Sequence, residues 1–132
     1  SIFGRNYEQY MDNGYAEVSL DGKIIHSQSI SEILLDNNMW SIFFNGFEKL
    51  DNDPIHINDV QPVKNNGEYW KEGDLFFSMR SPSMLMLYRP SNDSILWYEQ
   101  GLTKYQHDID ILDNSRISIF NNNNLDLSYE VV

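Results

Sequence analysis

The sequence has no cysteine, only four prolines and seven glycines, and just 9 basic side chains against 20 acidic ones in 132 residues. The lack of cysteine excludes disulfides, thiolate catalysis and zinc sites that need cysteine ligands. The net charge of −11 argues against a nucleic-acid backbone or an anionic membrane surface as the main partner. No apolar run approaches the roughly 20 residues that a spanning helix needs, so membrane insertion is not expected.

The residues that are present alternate mostly with period two, which is typical of strands. Residues 14–20 and 23–27 form two such runs, and Asp21-Gly22 between them predicts a hairpin. Residues 29–38 are the exception, with apolar side chains at helical spacing after a capping serine, and they predict one short helix. Residues 40–44 are rich in aromatic and β-branched side chains, and we predict a short strand there.

From residue 56 onward the chain is a series of short strands separated by turns. We predict strands over residues 56–63, 74–80, 83–88, 94–98, 107–112, 116–120 and 125–132. Four short antiparallel strands that end in a tryptophan-containing strand and a glycine are typical of one propeller blade. The two unit starts, His56 and His107, are 51 residues apart, close to a blade repeat of about 40–50 residues. The predicted fold is therefore all-β, a β-propeller segment of about two to three four-stranded blades with one short helix.

A propeller needs about 4–8 blades to close, so we expect this chain to be a segment of a longer protein. Residues 1–52 would belong to the preceding blade and the short helix, 53–104 to one complete blade, and 105–132 to the start of the next. The ring would be completed by the remaining blades or by a homo-oligomer.

Three side chains are candidates for chemistry in such a ring. His56 and His107 stand at the start of blade-opening strands, which line the central channel, so superposed blades would place both imidazoles near one mouth. Arg80 follows an apolar strand, and an always-charged planar donor at a strand end suits an oxyanion. Structural hydrogen bonding by the histidines and a surface salt bridge at Arg80 are the alternatives. His26 is interpreted as structural, and no cofactor or metal is expected.

Five short pieces of the chain, in this order and spacing, resemble the arylsulfotransferase (arylsulfate sulfotransferase, ASST-like) family. They are residues 56–60, 73–80, 95–97, 106–108 and 119–122. The resemblance covers about half the chain. It implies a propeller with its active site in the central channel, export to the periplasm or cell surface, and transfer of a sulfuryl group from an aryl sulfate to a phenol.

The resemblance also implies roles for the candidate residues. His107, within Gln-His-Asp, would be the histidine that becomes transiently sulfated, and Asp108 is a candidate for fixing its tautomer. His56 and Arg80 would bind the sulfate oxygens and stabilise developing charge, and His56 would protonate the leaving phenolate. The roles of the two histidines are exchangeable at this point. A non-catalytic binding or structural propeller module is the alternative function.

Overall fold

The computed structural model describes residues 11–44 and 53–122, in which a mostly β chain carries one short α-helix, as predicted. The strands are β1 (Gly14–Val18), β2 (Ile24–Ser29), β3 (Ile57–Pro62), β4 (Leu75–Met79), β5 (Met84–Arg89), β6 (Ser94–Gln100), β7 (His107–Ile111) and β8 (Ile117–Phe120). The helix α1 spans Ile30–Asp36, and 3-10 helices span Trp40–Phe44 and Pro90–Asn92. The predicted strand at 125–132 lies outside the described residues.

The strands form three antiparallel sheets, ordered β1-β2, β3-β4-β5-β6 and β7-β8. The four-stranded sheet has the strand number and meander order of one propeller blade. No closed barrel forms within the described residues, and the fold class is that of a partial β-propeller.

Three local predictions on the amino-terminal side differ in outcome. The hairpin turns at Gly22, whose φ of 83° is a left-handed conformation that glycine adopts freely. The helix begins after Ser29, whose side chain accepts from the Glu32 N–H, so the capping prediction is confirmed. The predicted strand at residues 40–44 is wrong, because these residues form a 3-10 helix. Ile42 and Phe43 are buried there against the core that contains α1, and burial overrides their β propensity.

The inner strands β4 and β5 of the central sheet are buried on both faces, which explains the unbroken apolar run of β5. Alternate side chains point to opposite faces of a strand. Phe77, Met86 and Tyr88 pack towards α1, whereas Phe76, Leu85 and Leu87 pack with Ile109 of β7. β4 and β5 are thus enclosed between the preceding elements and the β7-β8 hairpin, whereas β6 is largely exposed. This stacking fixes the ends of β3 and β7 relative to each other.

Candidate active site

His56 lies directly before β3, where Asp53 holds both its ring and its backbone. The His56 Nδ1 atom lies 2.5 Å from Asp53 Oδ2, and the His56 N–H donates to Asp53 Oδ1 at 3.1 Å. A carboxylate only accepts hydrogen bonds, so Nδ1 carries the hydrogen. The His56 side chain is 42% exposed, and its Nε2 atom is the ring nitrogen left for a ligand.

Arg80 follows β4 and is joined to His56 through the backbone, since the Arg80 N–H donates to the His56 carbonyl at 2.9 Å. Its guanidinium lies over the ring of Tyr105, 4.6 Å from the ring centroid. Within residues 11–44 and 53–122, no carboxylate lies within ion-pair distance of Arg80. Arg89 and Arg116, by contrast, pair with Asp74 and Asp113. The guanidinium of Arg80 is therefore held by an aromatic face, and no carboxylate in the described part of the chain neutralises its charge.

His107 begins β7 and is positioned by an aromatic neighbour. It pairs in register with Phe120 of β8, and the two rings stack with centroids 4.9 Å apart and an interplanar angle of 30°. Neither ring nitrogen of His107 has a hydrogen-bond partner in the described part of the chain. Asp108 is exposed, adopts a left-handed φ of 64°, and makes no hydrogen bond to His107 there. The expectation that Asp108 fixes the His107 tautomer is not supported by this geometry.

The two histidines do not occupy equivalent positions in their sheets. The β3–β4 register shifts between Ile57 and Asp59, and the β7–β8 register shifts between His107 and Ile109. Aligned on these bulges, His107 corresponds to Ile57, and His56 lies one residue earlier with a left-handed φ of 46°. The expectation of matched histidines is therefore off by one residue. A shift of one residue along a strand normally moves a side chain to the opposite face of the sheet. His56 precedes β3 and has a left-handed backbone, so this rule of alternation does not apply to it.

A buried polar side chain, Gln106, ties the His107 segment to the central sheet. Gln106 is fully buried. Its side-chain amide and its backbone carbonyl bond to atoms of Asn58, Ser78, Met79, Met84 and Thr103 at 2.8–3.2 Å. The Ile109 N–H also donates to Asp59 Oδ2 at 2.6 Å. These bonds bring the starts of β3 and β7 and the end of β4 to one edge of the molecule.

Sequence reasoning found the three candidates but missed three supporting residues, Asp53, Gln106 and Tyr105. Asp53 precedes His56 by three residues, and an Asp that can bond to a backbone N–H three residues on is a recognisable loop signal. Nothing in the periodicity marks Gln106 or Tyr105. His26, on β2, is exposed, and its ring centroid lies 5.7 Å from that of Tyr15. The structural role predicted for His26 stays a prediction.

A separate cavity lies where β3 and β7 end. It has a volume of about 410 Å³, and its lining includes Gln61, Trp70 and Asp113. Trp70 is buried in the apolar cluster that contains Ile109. This cavity therefore lies at the opposite end of β3 and β7 from His56, Arg80 and His107.

One comparison, with models of known protein families, gave a match. The family model described as Arylsulfotransferase (ASST) matches residues 1–131. The chain belongs to the arylsulfotransferase family. Neither the curated proteins nor the solved structures gave a match.

Membership of the arylsulfotransferase family confirms the predicted resemblance and extends it over nearly the whole chain. At the level of the family, the function is arylsulfotransferase-like, with aryl sulfates and phenols as the substrate class. The described residues contain no group of three or more side chains that could hold a metal ion. No helix among them is long and apolar enough to cross a membrane.

Proposed function

We propose that this arylsulfotransferase-family chain contributes His107, His56 and Arg80 to a sulfuryl-transfer site with a covalent histidine intermediate. His107 is the nucleophile. Arg80 and His56 bind the sulfate oxygens and stabilise the charge that develops on them. The alternative assignment, with His56 as the nucleophile, is tested by the same experiment.

The observation that carries this proposal is the environment of Arg80. The chain has 20 acidic side chains, yet no described carboxylate pairs with this arginine, and an aromatic ring holds its guanidinium instead. An arginine held without a counterion keeps its N–H donors available for a planar or tetrahedral oxyanion. Sulfuryl transfer, like phosphoryl transfer, depends mainly on positioning and on stabilising charge on the peripheral oxygens. One fixed donor of this kind contributes about 3–4 kcal/mol to the barrier reduction.

The two half-reactions balance through the two histidines. In the first, a ring nitrogen of neutral His107 bonds to sulfur while the bond from sulfur to the aryl oxygen breaks. The leaving oxygen takes the electron pair and the Nε2 proton of protonated His56. In the second, the acceptor phenol returns a proton to His56 Nε2 as its oxygen bonds to sulfur. The bond from nitrogen to sulfur then breaks, its electron pair returns to His107, and the enzyme is restored.

The two imidazoles differ in ways that favour this division of roles. His56 has a carboxylate on Nδ1, and this contact leaves Nε2 as its one ring nitrogen open to a substrate. His107 stacks on Phe120 and has no described carboxylate partner, which suits a neutral nucleophile. In a complete propeller, further blades would enclose the same mouth. We propose residues 53–104 as one blade and 105–132 as the start of the next.

The test measures transfer of sulfate from 4-nitrophenyl sulfate to phenol, with the release of nitrophenolate as the signal. The variant is His107→Ala. We expect that variant to lose transfer, and we expect mass spectrometry of the wild type quenched without acceptor to locate one sulfuryl group on His107. His26→Ala is the matched control, because it removes a histidine on β2 away from the site, and it should retain full transfer. A sulfuryl group on His56 would exchange the two roles. Unchanged transfer in His107→Ala would refute the proposal, and anion binding without turnover would favour a non-catalytic binding module.

A further inference from the structure

We propose that Asp53 is a positioning residue that locks His56 in the Nδ1–H tautomer, so that Nε2 alone exchanges protons with the aryl oxygen. This inference rests on the proposed function for its kinetic consequence. The tautomer itself can be measured without any turnover. Asp53 would act through His56 and would not touch the substrate.

The carboxylate of Asp53 is fully engaged by groups that fix one geometry. One oxygen, Oδ2, bonds to His56 Nδ1 at 2.5 Å. The other, Oδ1, accepts from the His56 backbone N–H and from Asn13 Nδ2, both at 3.1 Å. Because one carboxylate binds both the ring and the backbone of His56, it fixes the imidazole relative to its own main chain.

Asp53 and His56 are in turn anchored to two other segments. Asn13, which precedes β1, accepts from the Ile57 N–H through Oδ1 at 2.8 Å, so it spans Asp53 and the start of β3. The Ser81 hydroxyl donates to the Asp53 carbonyl at 2.9 Å, one residue after Arg80. The left-handed backbone of His56 is held between these anchors. Strained conformations of this kind persist where the surroundings determine them, and they cluster at functional sites.

The chemical consequence follows from the donor inventory. A carboxylate cannot donate, so the Nδ1 hydrogen stays between His56 and Asp53 in both half-reactions. Neutral His56 then offers a lone pair on Nε2, and protonated His56 offers an N–H there. Proton gain and loss occur at a single atom, and the carboxylate stays ionised throughout, as in the general arrangement of an Asp that orients a catalytic histidine.

The decisive variant is Asp53→Asn, which keeps the side-chain shape and removes the obligate acceptor. An amide can also donate to Nδ1, and this permits the Nε2–H tautomer. Asp110→Asn is the matched control. It removes one negative charge from β7, where the Asp110 side chain is exposed and makes no hydrogen bond to a described residue. Nitrogen NMR with isotope-labelled histidine, over a pH series that reaches the neutral imidazole, reports the tautomer. The chain has three histidines, so His26→Gln and His107→Gln spectra assign the His56 signals.

We expect wild type and Asp110→Asn to show His56 as the Nδ1–H tautomer, and Asp53→Asn to shift it towards Nε2–H. For donor turnover, kcat of Asp53→Asn should fall at least about 10- to 100-fold, the loss when the outer partner of a metal-bound histidine is removed. The upper end is about 10⁴-fold, the loss when Asn replaces the orienting Asp of a catalytic triad. The KM for the donor should change much less. Asp53→Glu, which retains a carboxylate, should recover part of kcat.

Each outcome separates the two proposals. If His56 of the wild type is the Nε2–H tautomer, the positioning role is overturned. This measurement uses the wild type alone, so it is valid even where Asp53→Asn does not fold. A normal kcat in a folded Asp53→Asn whose tautomer has shifted also overturns it. The expected tautomer in a wild type that transfers no sulfate would refute the proposed function and leave the role of Asp53 in orienting His56 intact.

Discussion

Replacement of Gln106 by Leu tests how the His107 segment is fastened to the central sheet. Gln106 is fully buried, and its two amide hydrogens are shared among Ser78 Oγ, Met79 O and Met84 O at 3.1–3.2 Å. Leucine has a similar size and no donor. The substitution therefore withdraws the side-chain donor from two backbone carbonyls in the interior. An interior polar group that loses its partner costs about 1–3 kcal/mol.

The expected loss of stability is the cost of removing the side-chain donor from these two carbonyls, minus the gain from burying extra apolar atoms. Two losses of that size, offset by about 1 kcal/mol of added apolar burial, give a net decrease of about 1–5 kcal/mol in the free energy of unfolding. Domains of this size are stable by about 5–15 kcal/mol, so the loss is a large fraction of the total. With a urea slope of about 2 kcal/mol per molar, the unfolding midpoint should fall by about 0.5–2.5 M.

Equilibrium urea unfolding followed by tryptophan fluorescence measures this shift. Gln100→Leu is the matched control, because Gln100 also donates its amide to a carbonyl, Pro82 O at 3.0 Å, but it is exposed. Its effect should stay within about 0.5 kcal/mol. Equal effects of the two substitutions would refute the reasoning that the buried amide fastens β7 to the central sheet.

Two further predictions concern an ion pair and an aromatic contact. Burial alone would raise the pKa of Asp74, but hydrogen bonds from Arg89 and from the Lys71 N–H outweigh it and leave this pKa below its usual range. Because the folded pKa is depressed, the stabilisation is present above the unfolded pKa of about 3.9 and is lost as pH falls through the folded value. In thermal unfolding over a pH series, the stability of Asp74→Asn should depend less on pH in the acid range than that of the wild type. Its stability near neutral pH should be lower by about 3 kcal/mol. An acid dependence equal to that of the wild type would contradict this explanation. Tyr105→Leu should raise the donor KM about fivefold, since a cation–π contact contributes about 1 kcal/mol, whereas Tyr105→Phe should stay near wild type. Initial-rate kinetics decide, and equal KM values in the two variants would show that the ring does not hold Arg80.

The fold was predictable where local chemistry and burial agree. Asp21-Gly22 specifies a tight turn, Ser29 specifies a helix start, and the unbroken apolar run of β5 reflects two buried faces. Residues 40–44 show the limit of this reasoning. Their composition matches a strand, but the Met39 N–H bonds back to the Leu34 carbonyl at 2.7 Å, and the chain folds against α1 instead. Only tertiary contacts decide between the two outcomes.

The candidate site was predictable in its residue types and not in its register. His56, Arg80 and His107 follow from strand starts and ends, but the bulges in β3 and β7 displace one histidine by a residue relative to the other. A bulge at Asp108 or Asn58 leaves no clear mark in hydrophobic alternation, because the skipped residue is polar and exposed in each case. The same bulge explains why Asp108 is not the partner of His107. The extra residue turns its side chain out of the pairing, and Asp53 emerges instead as the carboxylate that binds a histidine.

The three candidates rely on different kinds of support, and this difference fits the sulfuryl transfer that we propose. A carboxylate beside Arg80 would compete with an incoming sulfate for the same N–H donors, whereas the Tyr105 ring fixes the guanidinium and occupies none of them. A carboxylate beside His56 does not compete, because it binds Nδ1 and leaves Nε2 open. Phe120 orients His107 without a polar contact, so both ring nitrogens stay unpaired in the described structure. Each support thus fixes its residue and leaves open the atom that the proposed transfer needs, even though the chain as a whole carries a net charge of −11.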